Sequence, residues 1–258
     1  MNRIKKLFLD KPSGVLNVYC TAGFPLIDSL PQILTSLQSS GVDIAEIGMP
    51  YSDPIADGPV IQMSNMKAIQ NGMTIQTMFD QLKDCRTYFD LPMILMGYLN
   101  PVMQYGIENF CIEANKAGVD GVILPDLPLR EYQALFSDQF KRYGLEFIFL
   151  ITPETSNERI HEIDRLSNGF IYAVSSSSTT GSTTDPQKQM DYLLRIKNMN
   201  LTNPVLAGFG IRDKTTFNNA CRYTNGAIIG SAYIHAVEGS ADISKTTKEF
   251  IGAIKGNN

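Results

Sequence analysis

A single (β/α)8 barrel of the α/β class is the fold this sequence predicts, and three observations predict it. Eight short apolar runs of strand character recur along the 258 residues, helical periodicity fills the gaps between them, and glycines stand where helices turn back into strands. A length near 250 suits one barrel of this kind. With 43% apolar and 19% charged residues, the chain has material for a large core and lacks the charge of a disordered segment or a coiled coil.

Residues 2–9 read as a short helix ahead of the barrel. The apolar runs follow at 16–21, 43–47, 92–96, 121–124, 146–150, 170–174, 204–207 and 226–229. Between them, residues 105–117 place Ile107, Phe110 and Ala114 on one helical stripe, and residues 130–143 do so with Tyr132, Leu135, Phe136 and Phe140. Ser40-Gly41, Ala117-Gly118 and Tyr143-Gly144 supply the left-handed turn that commonly ends a helix before the next strand. Strands alternating with helices imply parallel pairing through right-handed crossovers. An open doubly wound sheet is the rival, but Gly208-Phe-Gly210 is followed by Asp213 where a dinucleotide-binding turn needs its third glycine. No linker divides the chain, so residues 1–258 are expected to form one domain. The low-complexity stretch 175–184 sits inside the βα pattern after the sixth run and reads as a functional loop, with a plain surface connection as the alternative.

The net charge of −4 and pI near 5.3 provide no basic field for a phosphate backbone, so nucleic acid is not an expected partner. No apolar run approaches the ~20 residues that span a bilayer, and the N-terminus has neither a long apolar region nor a small-residue cleavage site, so the expected location is cytoplasmic and no membrane is expected as a partner. Cys20, Cys85, Cys111 and Cys221 lie far apart without a nearby histidine, which suggests neither zinc nor a disulfide framework. Only His161 and His235 are present, the first inside a helix-like stretch, leaving little material for a histidine-based nucleophile system. Carboxylates and tyrosines are the expected proton carriers.

In a barrel the site lies at the C-terminal ends of the strands. Along the second run Glu46 shares a face with Val42 and Ile44, so a carboxylate occupies a position otherwise filled by buried aliphatics. Burial raises a carboxyl pKa and suits it to proton donation near neutral pH, although a glutamate bonded to a neighbouring loop is the structural alternative. The loop after it carries Asp53 and Asp57 among three prolines, Pro50, Pro54 and Pro59. Either aspartate fits a turn residue; closeness to Glu46 favours a functional pair, one group protonating a substrate atom while another holds an N–H or O–H. Across the barrel, Thr180-Gly181, Gly208-Phe-Gly210 and Gly230-Ser231 end the last three runs. Backbone N–H groups there, with a short helix opening at Ser231, form a cradle for a single phosphate monoester, ordinary turn glycines being the alternative.

The segment Glu46-Ile-Gly-Met-Pro-Tyr-Ser-Asp53-Pro-Ile-Ala-Asp57-Gly-Pro-Val-Ile-Gln62 resembles the signature of the tryptophan synthase alpha subunit family. Met96-Gly-Tyr98-Leu-Asn100-Pro101, Asp126-Leu-Pro128, Gly208-Phe-Gly-Ile211 and Gly230-Ser231 extend the likeness over essentially the whole chain. The resemblance implies a TIM barrel and a retro-aldol lyase that cleaves indole-3-glycerol phosphate to indole and glyceraldehyde 3-phosphate, with no metal or organic cofactor in this subunit. It implies catalytic roles for Glu46, as acid and base at indole C3 and the glycerol hydroxyl, for Asp57, at the indole N–H, and for Tyr172. It also implies an indole pocket of Tyr19, Ile61, Met96, Ile123 and Phe209, and phosphate contacts from Thr180, Gly181, Gly210, Gly230 and Ser231; barrel core is the alternative for the apolar five. The implied partner is a pyridoxal-phosphate (PLP) beta subunit in an αββα heterotetramer, faced by Asp53, Pro54, Asn100, Asp126 and Pro128. Two departures from the family pattern are Ser178-Thr179-Thr180-Gly181, where a Gly-Val-Thr-Gly element is usual, and Tyr19, where phenylalanine is common. Another phosphosugar barrel, an isomerase or a Schiff-base aldolase, is the second enzyme reading, and the Schiff-base route is disfavoured because none of the eight runs ends in lysine. A barrel that only binds or activates a partner is the reading from a different class, opposed by the intact Glu46 and Asp57.

Overall fold

The computed structural model describes residues 2–174 and 186–256. In chain order it runs α1 (Arg3–Asp10), β1 (Val15–Thr21), α2 (Leu30–Ser39), β2 (Ile44–Gly48), α3 (Pro59–Gln70), α4 (Ile75–Leu82), β3 (Met93–Met96), α5 (Leu99–Tyr105), α6 (Ile107–Lys116) and β4 (Gly121–Ile123). Next come α7 (Leu129–Glu131), a π-helical turn (Tyr132–Phe136), α8 (Ser137–Arg142), β5 (Glu146–Phe147), β6 (Phe149–Ile151), α9 (Asn157–Leu166) and β7 (Ile171–Ala173). The chain ends with α10 (Pro186–Asn198), β8 (Val205–Ala207), α11 (Lys214–Cys221), β9 (Gly226–Ile229), α12 (Ser231–Val237) and α13 (Ile243–Lys255).

All pairings among these strands are parallel, in the order β5-β4-β3-β2-β1-β9-β8-β7-β6. The two ends of that order are one stretch of chain: β5 pairs with β4, β6 pairs with β7, and only Ile148 separates them. Nine strand segments therefore make the eight staves of a (β/α)8 barrel, the fifth bent at Ile148.

Strand alternation divides the core into two layers. Val15, Ile44, Ile94, Ile123, Ile148, Phe170, Tyr172, Leu206 and Ile228 point inward as one cluster, while Leu16, Val18, Ala45, Ile47, Leu95, Val122 and their equivalents pack outward under the helices. The N-terminal helix, at residues 3–10 rather than 2–9, seals the bottom: Ile4 is fully buried among the inward residues, beside Gly169 and against Gly121, where a side chain would crowd it. Asp120 fastens this plug, accepting from Arg3 at 3.1 Å, Arg86 at 2.7 Å and the Met93 N–H at 3.0 Å. Gly41, Gly118 and Gly144 take positive φ, as expected of turns that end a helix.

Two helices depart from their periodic pattern. The stripe over 105–117 is cut at Gly106, whose φ of 92° breaks the chain into α5 and α6. The stripe over 130–143 widens into the π-helical turn, where Tyr132 stacks on Phe147 at 4.4 Å between ring centroids.

Candidate active site

Glu46 lies on the inward face of β2 opposite Tyr19 of β1, and it is fully buried. Asn17, two residues before Tyr19 on the same inward face, donates its Nδ2 to Glu46 Oε2 at 2.6 Å. Among the described residues Glu46 Oε1 has no hydrogen-bond partner. Burial raises the Glu46 pKa to about 8, the Asn17 bond holding it down and the nearby Asp57 pushing it up. At neutral pH the group is therefore mostly a carboxylic acid with one oxygen anchored and the other left without a protein partner among the described residues.

Asp57 stands on the loop between β2 and α3. Burial raises its pKa to about 6, and a hydrogen bond from the Tyr98 hydroxyl lowers it, so at pH 7 it is mostly ionised. The same hydroxyl accepts the Ala56 N–H at 3.0 Å. Tyr98, just beyond the end of β3, thus holds both the backbone and the carboxylate of the turn. That turn is closed by Ile55 N–H to Asp53 at 2.9 Å and Asp57 N–H to Pro54 at 3.0 Å. One acid and one carboxylate at the same barrel mouth, with pKa values set apart by their surroundings, can deliver a proton and hold a positive charge at once.

Two tyrosines frame the pair. Tyr19 leans over Gly48 and Tyr172 over Gly208, strand-end positions where any side chain would strike the tyrosine ring or hydroxyl. Burial pushes both hydroxyls well above the usual tyrosine value, so they act as neutral donors and acceptors. Tyr19 and Ile61 approach Gly230 within 4 Å of where its side chain would stand, which ties the β9 end to the same mouth. Ile123 and Met96 touch the inward cluster around Tyr172. Phe209 is half-buried and lies nearly parallel to Tyr192 of α10, with 6.2 Å between ring centroids. Gly210 is exposed with a φ of 65°, and Ser231 is exposed as the first residue of α12. Thr180, Gly181 and the stretch 175–184 lie outside the described residues.

The residues read as partner-facing separate into two groups. Asp53, Asn100, Asp126 and Pro128 are exposed, but Pro54 is buried within its own chain and its neighbour Ile55 is 76% exposed instead. Asp126 also caps α5, its carboxylate accepting the Leu99 N–H at 2.9 Å, and Asn100 donates to the Tyr51 hydroxyl at 3.3 Å. Asn17, Tyr98 and Ile55 escaped the sequence reading. The alternation that exposes Glu46 also places Asn17 inward, between Val15 and Tyr19, so a signal for it exists; nothing local marks Tyr98 as the holder of Asp57. Among the described residues no group of three or more His, Cys, Asp or Glu is arranged to hold a metal ion, and no helix is long and apolar enough to cross a membrane.

Comparison with known proteins agrees over the full length. The chain is 51% identical to the tryptophan synthase alpha chain of Flavobacterium psychrophilum, over 97% of this chain and 100% of that one, and 45% identical to that of Bacteroides thetaiotaomicron, over 99% and 100%. Among solved structures it superimposes on the tryptophan synthase alpha subunit of Legionella pneumophila with a TM-score of 0.90 at 31% identity, covering 99% of this chain and 98% of that one. It superimposes on a chain of the tryptophan synthase complex of Pyrococcus furiosus with a TM-score of 0.85 at 32% identity, covering 95% and 98%. With the family model for the tryptophan synthase alpha chain matching residues 9–255, the chain belongs to the tryptophan synthase alpha chain family.

Proposed function

We infer that this chain performs the lyase reaction of its family, the retro-aldol cleavage of indole-3-glycerol phosphate to indole and glyceraldehyde 3-phosphate in tryptophan biosynthesis, with Glu46 and Asp57 as its catalytic carboxyls. The observation that carries the assignment of roles is the pair itself: a fully buried Glu46 that is mostly protonated at pH 7, facing an Asp57 that is mostly ionised. Glu46 gives its proton to indole C3, and the ring becomes an indolenine cation whose N–H is held by the Asp57 carboxylate. The protonated ring accepts the electron pair of the bond between C3 and the glycerol chain. As that bond breaks, the carbinol hydroxyl loses its proton to the Glu46 carboxylate and becomes the aldehyde of glyceraldehyde 3-phosphate. Protons balance, and Glu46 returns to its starting state. Tyr172, buried on the inward face of β7, lines the site with a neutral hydroxyl.

Tyr19, Ile61, Met96, Ile123 and Phe209 supply the apolar walls for the indole, and Thr180, Gly181, Gly210, Gly230 and Ser231 the phosphate contacts. The whole chain, residues 1–258, acts as one barrel domain. PLP belongs to the beta subunit of the complex, and the reaction here runs on this chain's own residues without a cofactor. Asp53, Asn100, Asp126 and Pro128, with the buried Pro54 shaping the loop beneath, face that beta subunit in an αββα heterotetramer, and indole passes to it. The four free cysteines fit a reducing cytoplasm.

The test is indole release from indole-3-glycerol phosphate by the purified chain, alone and with the beta subunit. Slow release alone and faster release with the partner are expected, and Glu46→Gln lowers the rate at least about a hundredfold with the fold retained. Normal turnover by that variant overturns the assignment.

A further inference from the structure

Among the described residues, the polar side chains of Glu46 and Asn17 are both fully buried on the inward face of the barrel strands, and they touch each other. An amide deep in a barrel lined mainly by aliphatic and aromatic side chains costs desolvation, and each unmet group adds to that cost. Asn17 makes one side-chain bond, from Nδ2 to Glu46 Oε2 at 2.6 Å, and its Oδ1 has no partner among the described residues. The asparagine therefore serves the carboxyl rather than the barrel. It pairs in register with Ile44, whereas Glu46 pairs with Tyr19, so Asn17 sits two residues further from the C-terminal strand ends than Tyr19.

The two oxygens of a carboxylic acid differ: the carbonyl oxygen is the stronger acceptor, and the hydroxyl oxygen carries the proton. An N–H fixed on Oε2 makes that oxygen the carbonyl and leaves the proton on Oε1, the oxygen with no protein partner. When the proton leaves, the same N–H faces a carboxylate that is fully buried, where a charge-assisted bond is strong. Resting on the catalytic role of Glu46 given above, we propose that Asn17 is a positioning residue for the lyase reaction, which directs the Glu46 proton to Oε1 and stabilises the carboxylate formed when that proton is delivered. The other ionisable groups whose charge interacts with Glu46 are Tyr19 on the inward face of β1, Cys20 on its outward face, Tyr172 on β7 and Asp57 on the β2–α3 loop. None of these bears a positive charge, so the Asn17 amide is the favourable contact the carboxylate receives from this set.

Asn17→Leu keeps the shape of the side chain and removes the donor. For indole release by the full chain, a kcat lowered ~10- to 100-fold with KM changed less than about twofold is expected, since a bond to a charged group is lost and no substrate contact is. The alkaline fall of the kcat profile also moves to higher pH, because losing a donor to the carboxylate raises the Glu46 pKa. Asn17→Ala, the smaller change, moves both quantities in the same direction if the leucine variant fails to fold. A wild-type kcat and pH profile in a folded Asn17 variant overturns the proposal even when only thermal stability changes. Glu46→Gln, assayed in parallel, separates the two claims: if it is inactive while Asn17→Leu is normal, the positioning role alone falls, and if it is active the reading of the site itself falls.

Discussion

Glu46 is costly where it stands. Its pKa moves from 4.5 to about 8 on folding, so between those values the native state keeps a proton that the unfolded chain releases. Stability is therefore least impaired below pH 4.5, is lost progressively as pH rises to about 8, and is flat above. Glutamine in its place still accepts the Asn17 N–H and never ionises. Glu46→Gln is accordingly expected to be more stable than the parent by a few kcal/mol at pH 8 and by nearly nothing at pH 4.5, at about 1.4 kcal/mol per pKa unit. Denaturant unfolding at the two pH values checks it, and an equal difference at both removes the burial argument. Activity carries the same two groups: turnover rises as Asp57 ionises near pH 6 and falls as Glu46 ionises near pH 8. Tyr98→Phe removes the hydroxyl that holds Asp57 ionised, so the acidic limb moves to higher pH while the alkaline limb stays, as a pH series of indole release will show. Glu46 was legible in the sequence because a carboxylate broke a run of inward aliphatics. Tyr98 was not, because its hydroxyl acts on a turn more than forty residues away, a relation that exists only once β2 and β3 are neighbours.

The elements repeat that division between local and distant causes. The eight staves and the glycine turns at 41, 118 and 144 follow from short apolar runs and from the left-handed conformation glycine takes most readily, both properties of a few adjacent residues. The bend at Ile148 is different, since it arises where one strand must pair with β4 at its start and β7 at its end. The docking of α1 is also a tertiary matter. Asn2 caps the helix by accepting the Ile4 N–H at 2.8 Å and donates to the Asp120 carbonyl at 2.9 Å, while the Asp120 side chain takes Arg3, Arg86 and Met93. Arg86 is largely buried and Arg3 is half exposed, so the two contacts differ in weight. Asp120→Ala leaves Arg86 without its carboxylate and is expected to cost about 3–5 kcal/mol. Arg3→Ala removes a screened contact and costs about 1 kcal/mol or less. Urea unfolding of the two variants decides it, and equal losses contradict the reading; kcat of the folded protein stays unchanged in both, since the plug lies at the opposite end of the barrel from Glu46.

Taken whole, the barrel is closed below by α1, and one side of its upper rim gathers the loops after β2, β3 and β4. On that side Ile55 presents an isoleucine that is 76% exposed, at the tip of a turn held by the Tyr98 hydroxyl and by its own backbone bonds. A large apolar side chain on a rigid tip loses little entropy when a partner covers it, which is the character of an interface anchor. Asp53, Asn100, Asp126 and Pro128 stand exposed on the same three loops as a polar surround. Ile55 and Asp57 share one turn, so under the proposed function a beta subunit seated on Ile55 would restrict the carboxylate assigned to the indole N–H and so join partner binding to turnover. Ile55→Ser is therefore expected to weaken the complex by about 2 kcal/mol, roughly 30-fold in Kd, from the apolar area no longer buried. Indole release by the isolated chain is unaffected, because the side chain points away from the site into solvent. Titrating the beta subunit against turnover reads both quantities at once: the activation curve of the variant moves to higher partner concentration and reaches the same plateau. An unmoved curve takes Ile55 out of the interface, and a lowered rate without partner shows that the side chain supports the turn rather than the complex.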